Sequence, residues 1–220
     1  MSSAALERQL AYVPQVIGRT VAPPVLVCGG MGGSSLPARL LRYLGAYPYL
    51  IAHQDYGLPL RMPPDAHYVA VSYSGETEET LSFAEEAIAA GVPLSIVASG
   101  GRLLALAERH GLPHVRVPAG EVPRDAVVPM TRALLALIGE DHCFAPSEAA
   151  GSASYDADGE ALAGTLGGSS VPLFYASTPN EPLAGLAKTL FNETAKVPSF
   201  ANVFPELDHN ELQGFDGHAP

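Results

Sequence analysis

Short apolar runs separated by helix-length segments leave this chain few folds to choose from. The runs are VLVC (25–28), YLIAH (49–53), YVAVSY (68–73), LSIVAS (94–99) and HVRVP (114–118). Each has the length of an ordinary strand. Most are apolar throughout, as strands covered on both faces must be. Between and after them lie SLPARLLRYLG, ETEETLSFAEEAIAAG, RLLALAERHG and DAVVPMTRALLALIGE, which carry helical patterning. Strand–helix alternation of this kind predicts an α/β fold, a parallel sheet between two layers of helices with right-handed crossovers. Residues 4–17 predict a further helix whose end Pro14 disturbs.

After Glu140 the pattern breaks. FAPSEAAGSASYDADGEALAGTLGGSS (144–170) is rich in Gly, Ser, Ala and Asp and reads as a linker holding at most one weak helix. A strand, VPLFYAS (171–177), and a helix, NEPLAGLAKTLFNETAK (180–196), follow, then PSFANVF and PELDHNELQGF. The expected organisation is a first domain over 1–150 and, over 151–220, the linker with a second, shortened α/β unit. An incomplete sheet of that kind favours oligomerisation.

Composition narrows the partners. The net charge is −11, from 12 basic and 23 acidic residues, which argues against nonspecific nucleic-acid binding. An anionic ligand therefore needs donors placed locally, because the overall field repels it. Cys28 and Cys143 are far apart and lack ligand-like spacing, so neither a disulfide framework nor a zinc site is expected, in keeping with a reducing cytoplasm. No apolar run approaches the roughly 20 residues of a membrane span, and MSSAALERQLAY lacks the layout of a signal peptide.

Two loops leave strands at the edge where parallel sheets collect ligands. The first is CGGMGGSS. Its glycines let a backbone approach a ligand closely, and Ser34 or Ser35 is placed to cap the following helix. It fits neither G-x-G-x-x-G, since Ser35 stands where the last glycine belongs, nor a P-loop, since no Gly-Lys-Ser/Thr follows. The second is SYSGETEET. Ser72, Ser74 and Thr77 offer hydroxyls, Gly75 permits an exposed turn, and a helix starting near Thr77 aims its free N–H groups and positive end at the loop. A phosphate there collects several charge-assisted hydrogen bonds. The same residues also describe a tight turn and a well-capped helix with no ligand.

In order and spacing, GMGGSS (30–35), SYSGET (72–77), VPRDA (122–126), NETAK (192–196) and PELDHNE (205–211) resemble the sugar isomerase (SIS) domains of bifunctional phosphoglucose/phosphomannose isomerases. That family carries GMGGS, SYSGNT, a Pro-Arg pair, N-E-x-x-K and PELNHNE. Glu76 and Asp208 stand here where the family has asparagine. The resemblance implies two three-layer αβα SIS units, a homodimer, no metal and no other cofactor. It implies aldose–ketose interconversion of hexose 6-phosphates by proton transfer between C1 and C2 through an enediolate. Ser72, Ser74 and Thr77 would then hold the phosphate, with Gly32, Gly33 and Ser34 against the sugar. Arg124 would face the enediolate charge, Glu193 would be the base, and His209 would help open the ring.

The chemistry asks for residues of these types. A carboxylate beside the acidic C–H shuttles its proton, worth roughly 10²–10⁴-fold, and a fixed cation stabilises the enediolate most at the transition state. A histidine titrates near neutrality and suits proton exchange with the ring oxygen. Each residue also has a plainer description: Glu193 as a solvated helix residue three places from Lys196, Arg124 as a solvated loop arginine, His209 as a surface histidine. Three functions stay open on the residues alone: an isomerase, a noncatalytic phosphosugar-binding protein, and a structural α/β protein whose loops are only turns.

Overall fold

The computed structural model describes residues 3–19, 23–45, 47, 49–143, 155–166 and 171–216. The chain divides into two compact units, Met1–Asp156 and Ala157–Pro220.

The first unit contains α1 (Ser3–Ala11), β1 (Val16–Ile17), β2 (Val25–Gly29), α2 (Leu36–Tyr43), β3 (Leu50–His53), β4 (Ala66–Val71), α3 (Glu78–Ala90), β5 (Leu94–Ala98), α4 (Gly101–His110), β6 (His114–Arg116) and α5 (Val127–Leu137). The sheet runs β1-β6-β5-β4-β2-β3. Strands β2 to β6 pair in parallel, and only β1 is antiparallel, on β6. The apolar runs explain the burial. Every residue of β4 and β5 is buried, as is all of β2 after Val25.

Alternation along β4 divides the core between two faces, as a period of two requires. Val69 and Val71 join Ala38 and Leu41 of α2 and Met130 and Leu134 of α5 on one side. Tyr68 and Ala70 join Leu81, Phe83 and Ala84 of α3 and Leu103 and Leu104 of α4 on the other. The result is three layers, helices on both sides of a sheet, as the alternating pattern predicts. Each fully buried Leu, Val or Phe contributes on the order of 1.5–3 kcal/mol.

Two local expectations are corrected. The helix expected over 4–17 ends at Ala11, and Val16–Ile17 form the antiparallel edge strand. Proline lacks an N–H and biases its predecessor to extended backbone, so Pro14 stops the helix early and frees the next residues to pair. The helix docks on α5 through Arg132, whose guanidinium donates to Leu10 O at 3.2 Å and to Tyr12 O, and pairs with Asp141 at 2.9 Å. The second correction concerns α2. Ser35 occupies its N-cap position but makes no capping bond. Its Oγ turns back to Gly32 O at 2.8 Å.

In the second unit, α6 (Asp156–Leu166) carries no buried side chain. It is the helix within the stretch read as a linker; residues 144–154 and 167–170 of that stretch lie outside the described residues. A parallel pair, β7 (Leu173–Ser177) and β8 (Phe200–Phe204), is bridged by α7 (Glu181–Leu190) and a π-helical turn, Phe191–Ala195. A 3₁₀ turn, Glu206–His209, leads into α8 (Glu211–Asp216). Among the described residues no helix is long and apolar enough to cross a membrane.

Candidate active site

Chain order and strand order together create a crevice. From β2 the chain moves outward to β3, then returns to place β4 on the other flank of β2. The loop after β2 therefore leads to α2 on one face, and the loop after β4 leads to α3 on the opposite face. That is a topological switch point, where open parallel sheets bind ligands at their carboxyl edge. GMGGSS and SYSGET are these two loops.

Hydrogen bonds fix the second loop from within. Ser72, 1% exposed, places its Oγ 2.9 Å from Thr77 Oγ1, and the same Oγ accepts from Gly75 N–H at 3.1 Å. Ser74 is exposed, and its Oγ accepts from Glu76 N–H at 3.2 Å. Thr77 sits at the N-cap of α3 but makes no side-chain cap bond. Its hydroxyl is directed to Ser72 instead. The hydroxyls thus converge inside the loop at the positive end of a helix.

Neighbouring loops pin this one. Gly75 has φ +73°, a conformation that side chains resist, and a Cβ there would run into the Gly100 carbonyl. Leu103 N–H donates to Gly75 O at 3.0 Å, and Ser99 Oγ to Tyr73 O at 2.6 Å. Glu76, the departure from the family's asparagine, reaches over with Oε1 to accept Arg102 N–H at 2.9 Å. Its carboxylate so caps the first turn of α4, where negative charge is favoured.

The Gly-rich loop joins the assembly through Ser34, whose buried Oγ accepts Tyr73 N–H at 3.0 Å. Gln54, just past β3, donates to Ser35 Oγ at 3.2 Å. Gly32 is exposed, whereas Gly33 is buried. A Cβ on Gly33 would sit 2.9 Å from Pro123 O and 3.0 Å from Arg124 Cα, so glycine is required for this close approach. The turn Pro123–Asp125, with a half-buried Arg124, therefore lies against the Gly-rich loop, and Gln9 of α1 holds it by donating to Asp125 O at 2.6 Å. The structure brings Gly32, Gly33, Ser34, Ser72, Ser74, Thr77 and the Arg124 backbone to one edge of one sheet.

Glu193 and His209 belong to the second unit. Glu193 is half-buried on the π-helical turn, a deviation found often at functional sites. Lys196 caps that turn with φ +56°. Asn192, beside Glu193, anchors the turn. Its Oδ1 accepts Ser199 N–H at 2.8 Å and lies 2.8 Å from Ser199 Oγ. His209 is exposed at the end of a 3₁₀ turn whose Leu207 is fully buried. In the same PELDHNE stretch, Asn210 donates to Glu206 Oε1 at 3.0 Å, and Glu211 Oε1 accepts from Asn202 of β8 at 2.9 Å. The hydrogen bond that the Tyr175 phenol donates to the Glu211 carboxylate also raises the pKa of that phenol. Nothing in the structure explains Asp208 in place of asparagine. Among the described residues no three His, Cys, Asp or Glu side chains cluster so as to hold a metal ion.

Three contributors escaped the sequence: Tyr73, Ser99 and Gln54. Ser99, at the carboxyl end of an apolar run and followed by two glycines, gave a usable signal. Tyr73 lies inside SYSGET with no role of its own marked there, and Gln54 gave no signal.

The carboxyl-terminal SIS domain of bacterial phospho-glucose isomerase, as a family model, matches residues 156–220. A bifunctional phosphoglucose/phosphomannose isomerase of Thermoplasma acidophilum is 36% identical over 192 residues, 84% of this chain and 60% of its own length. A D-glucosamine-6-phosphate 4-epimerase of Sulfolobus acidocaldarius is 31% identical over 84% of this chain and 61% of its own. In structure, the C-terminal domain of glucosamine-fructose-6-phosphate aminotransferase from Francisella tularensis superposes with a TM-score of 0.65 at 11% identity, over 96% of this chain and 70% of that one. The fold and the switch-point loops define the class: the chain has the SIS fold. Over the part it spans, its sequence is similar to the bifunctional phosphoglucose/phosphomannose isomerases, and its residues 156–220 match their kind of carboxyl-terminal SIS domain. The chain spans about 60% of the length of the curated relatives that it matches.

Proposed function

We propose that this protein binds hexose 6-phosphates in the loop Ser72–Thr77 and interconverts aldose and ketose forms through an enediolate. The observation that carries this reading is the meeting of GMGGSS, SYSGET and the Arg124 turn at one topological switch point, with the Ser72 and Thr77 hydroxyls directed to each other and α3 uncapped by Thr77. A doubly charged phosphate ester suits such a loop: hydroxyls and helix N–H groups supply donors where the chain as a whole is strongly anionic. The names of the relatives support the substrate class, and the epimerase among them acts on a hexose phosphate by different chemistry.

In this reading Glu193 takes the proton from one carbon and returns it to its neighbour. Arg124 offsets the charge that develops on the enediolate oxygens. His209 exchanges the proton of the ring oxygen during opening. The second unit acts as a partial second SIS-like domain, and the active form is a homodimer, which sedimentation of the purified protein would check.

A coupled assay with fructose, glucose and mannose 6-phosphates tests the reading. Interconversion of fructose 6-phosphate with either aldose phosphate is expected. Saturable binding without turnover would leave the noncatalytic phosphosugar-binding alternative, and an absence of binding would overturn both.

A further inference from the structure

Tyr73 stands at the centre of the site yet has no part in the chemistry proposed above. Its backbone and its side chain serve different partners. The backbone N–H donates to Ser34 Oγ at 3.0 Å, and the backbone C=O accepts from Ser99 N–H at 2.9 Å and from Ser99 Oγ at 2.6 Å. These bonds join the phosphate loop to the Gly-rich loop and to the loop after β5. The side chain reaches a third segment. Its phenol donates to Pro118 O at 3.0 Å and accepts Glu121 N–H at 2.9 Å.

Pro118–Glu121 is the stretch between β6 and the turn that carries Arg124. With the residue only 5% exposed, the phenol makes its two bonds largely shielded from water. At its other end the turn is fixed by Gln9 on Asp125 O and by the contact with Gly33. The phenol therefore sets where the chain enters the arginine turn.

We propose that Tyr73 is a positioning residue that couples the phosphate loop to the segment bearing Arg124, so that gripping the phosphate and placing the cation depend on one side chain. The proposal rests on the isomerase reading and extends it to a residue outside the chemistry. It separates two properties that a merely structural role would move together. Removing the phenol oxygen leaves every backbone bond of Tyr73 in place, so phosphate binding should survive. The arginine turn loses its anchor, and misplacement of about 1 Å can cost around 100-fold in a reaction rate.

The test compares Tyr73→Phe with the unaltered chain by calorimetric titration. Two ligands are used: fructose 6-phosphate, and a phosphorylated aldonohydroxamate whose planar head mimics the enediolate. Tyr73→Phe should keep fructose 6-phosphate affinity within about twofold and lose about tenfold in affinity for the hydroxamate, of the order expected for one or two hydrogen bonds. Arg124→Ala should lose hydroxamate affinity as well, and the double variant should be no weaker than Arg124→Ala alone, because coupled residues are not additive. Hydrogen exchange at the Glu121 amide should quicken in Tyr73→Phe, and where turnover is measurable kcat should fall with KM unchanged. An equal loss for both ligands, no loss for either, or additive losses in the double variant would overturn the coupling while leaving the isomerase reading intact. If the unaltered chain bound neither ligand, the parent reading would fall and the coupling with it.

Discussion

In the first unit β4 and β5 are buried along their whole length; in the second, β7 and β8 are exposed at both ends and only half-buried between. The first unit is held mainly by apolar packing on two sides of a sheet. The second adds to a few apolar contacts, such as Phe174 on Phe191 and the buried Leu207, a set of individual polar ones: Asn192 on Ser199, Asn202 on Glu211, Asn210 on Glu206, and Thr178 Oγ1 on Phe204 O at 2.7 Å. The candidate binding residues sit on the first kind of scaffold and the candidate base on the second. A loop that must hold a rigid anion gains from a core that does not yield. A carboxylate on a π-helical turn depends on a few hydrogen bonds, each worth about 1 kcal/mol, so small changes should move it.

The largest expected effect breaks the contrast at the chemistry. Glu193→Gln should lower turnover by roughly 10²–10⁴-fold while fructose 6-phosphate binding persists, checked by paired kinetics and calorimetry. A retained rate would remove Glu193 from the mechanism. Next, Ser72→Ala with Thr77→Val should weaken phosphate-ester affinity by about 100-fold, since each charge-assisted bond contributes about 1.5–3 kcal/mol. Affinity for the unphosphorylated sugar should not change.

The remaining effects concern stability. Gly75→Ala forces a side chain onto φ +73° and into Gly100. The backbone term alone costs about 1–2 kcal/mol, and the clash adds to it, so a clear fall in the denaturant midpoint is expected. Asn192→Ala strips the Ser199 N–H of its acceptor, while the buried Ser199 Oγ keeps its bond to Lys188 O at 3.0 Å, and should cost about 1–3 kcal/mol. Hydrogen exchange should show the loss in residues 199–204 and leave β4 and β5 protected; equal loosening in both units would erase the contrast.

The smallest effect is a pH dependence. Burial holds the His67 imidazole below its usual pKa, and its Nε2 lies 2.7 Å from the buried Ser95 Oγ. The unfolded chain takes up the proton first as pH falls below about 6.5. The stability that His67 provides is complete above that pH and is lost as pH falls toward its lowered folded value. Thermal melts of His67→Gln should show a flatter profile below about pH 6.5 than the unaltered chain.

The first unit was legible because its signals were dense. VLVC, YVAVSY and LSIVAS are buried strands, and the helix-length segments between them supply the layers that cover both faces. Motifs at strand ends marked two of the loops. Features set by tertiary contacts were not legible. Ser35 turned to Gly32 rather than to its helix, because a hydroxyl in a tight turn has several acceptors within reach. Glu76 looked like a substitution at the phosphate loop and is a cap on α4, some 26 residues away in sequence. The hub role of Tyr73 depends on partners at 34, 99, 118 and 121 that no local pattern connects.

A crystal structure of the protein with fructose 6-phosphate tests the central claim most directly. Phosphate oxygens within hydrogen-bonding distance of the Ser74 and Thr77 hydroxyls, at the start of α3, are the predicted result. Density for the sugar phosphate elsewhere on the molecule, with the loop after β4 empty at saturating ligand, would contradict it.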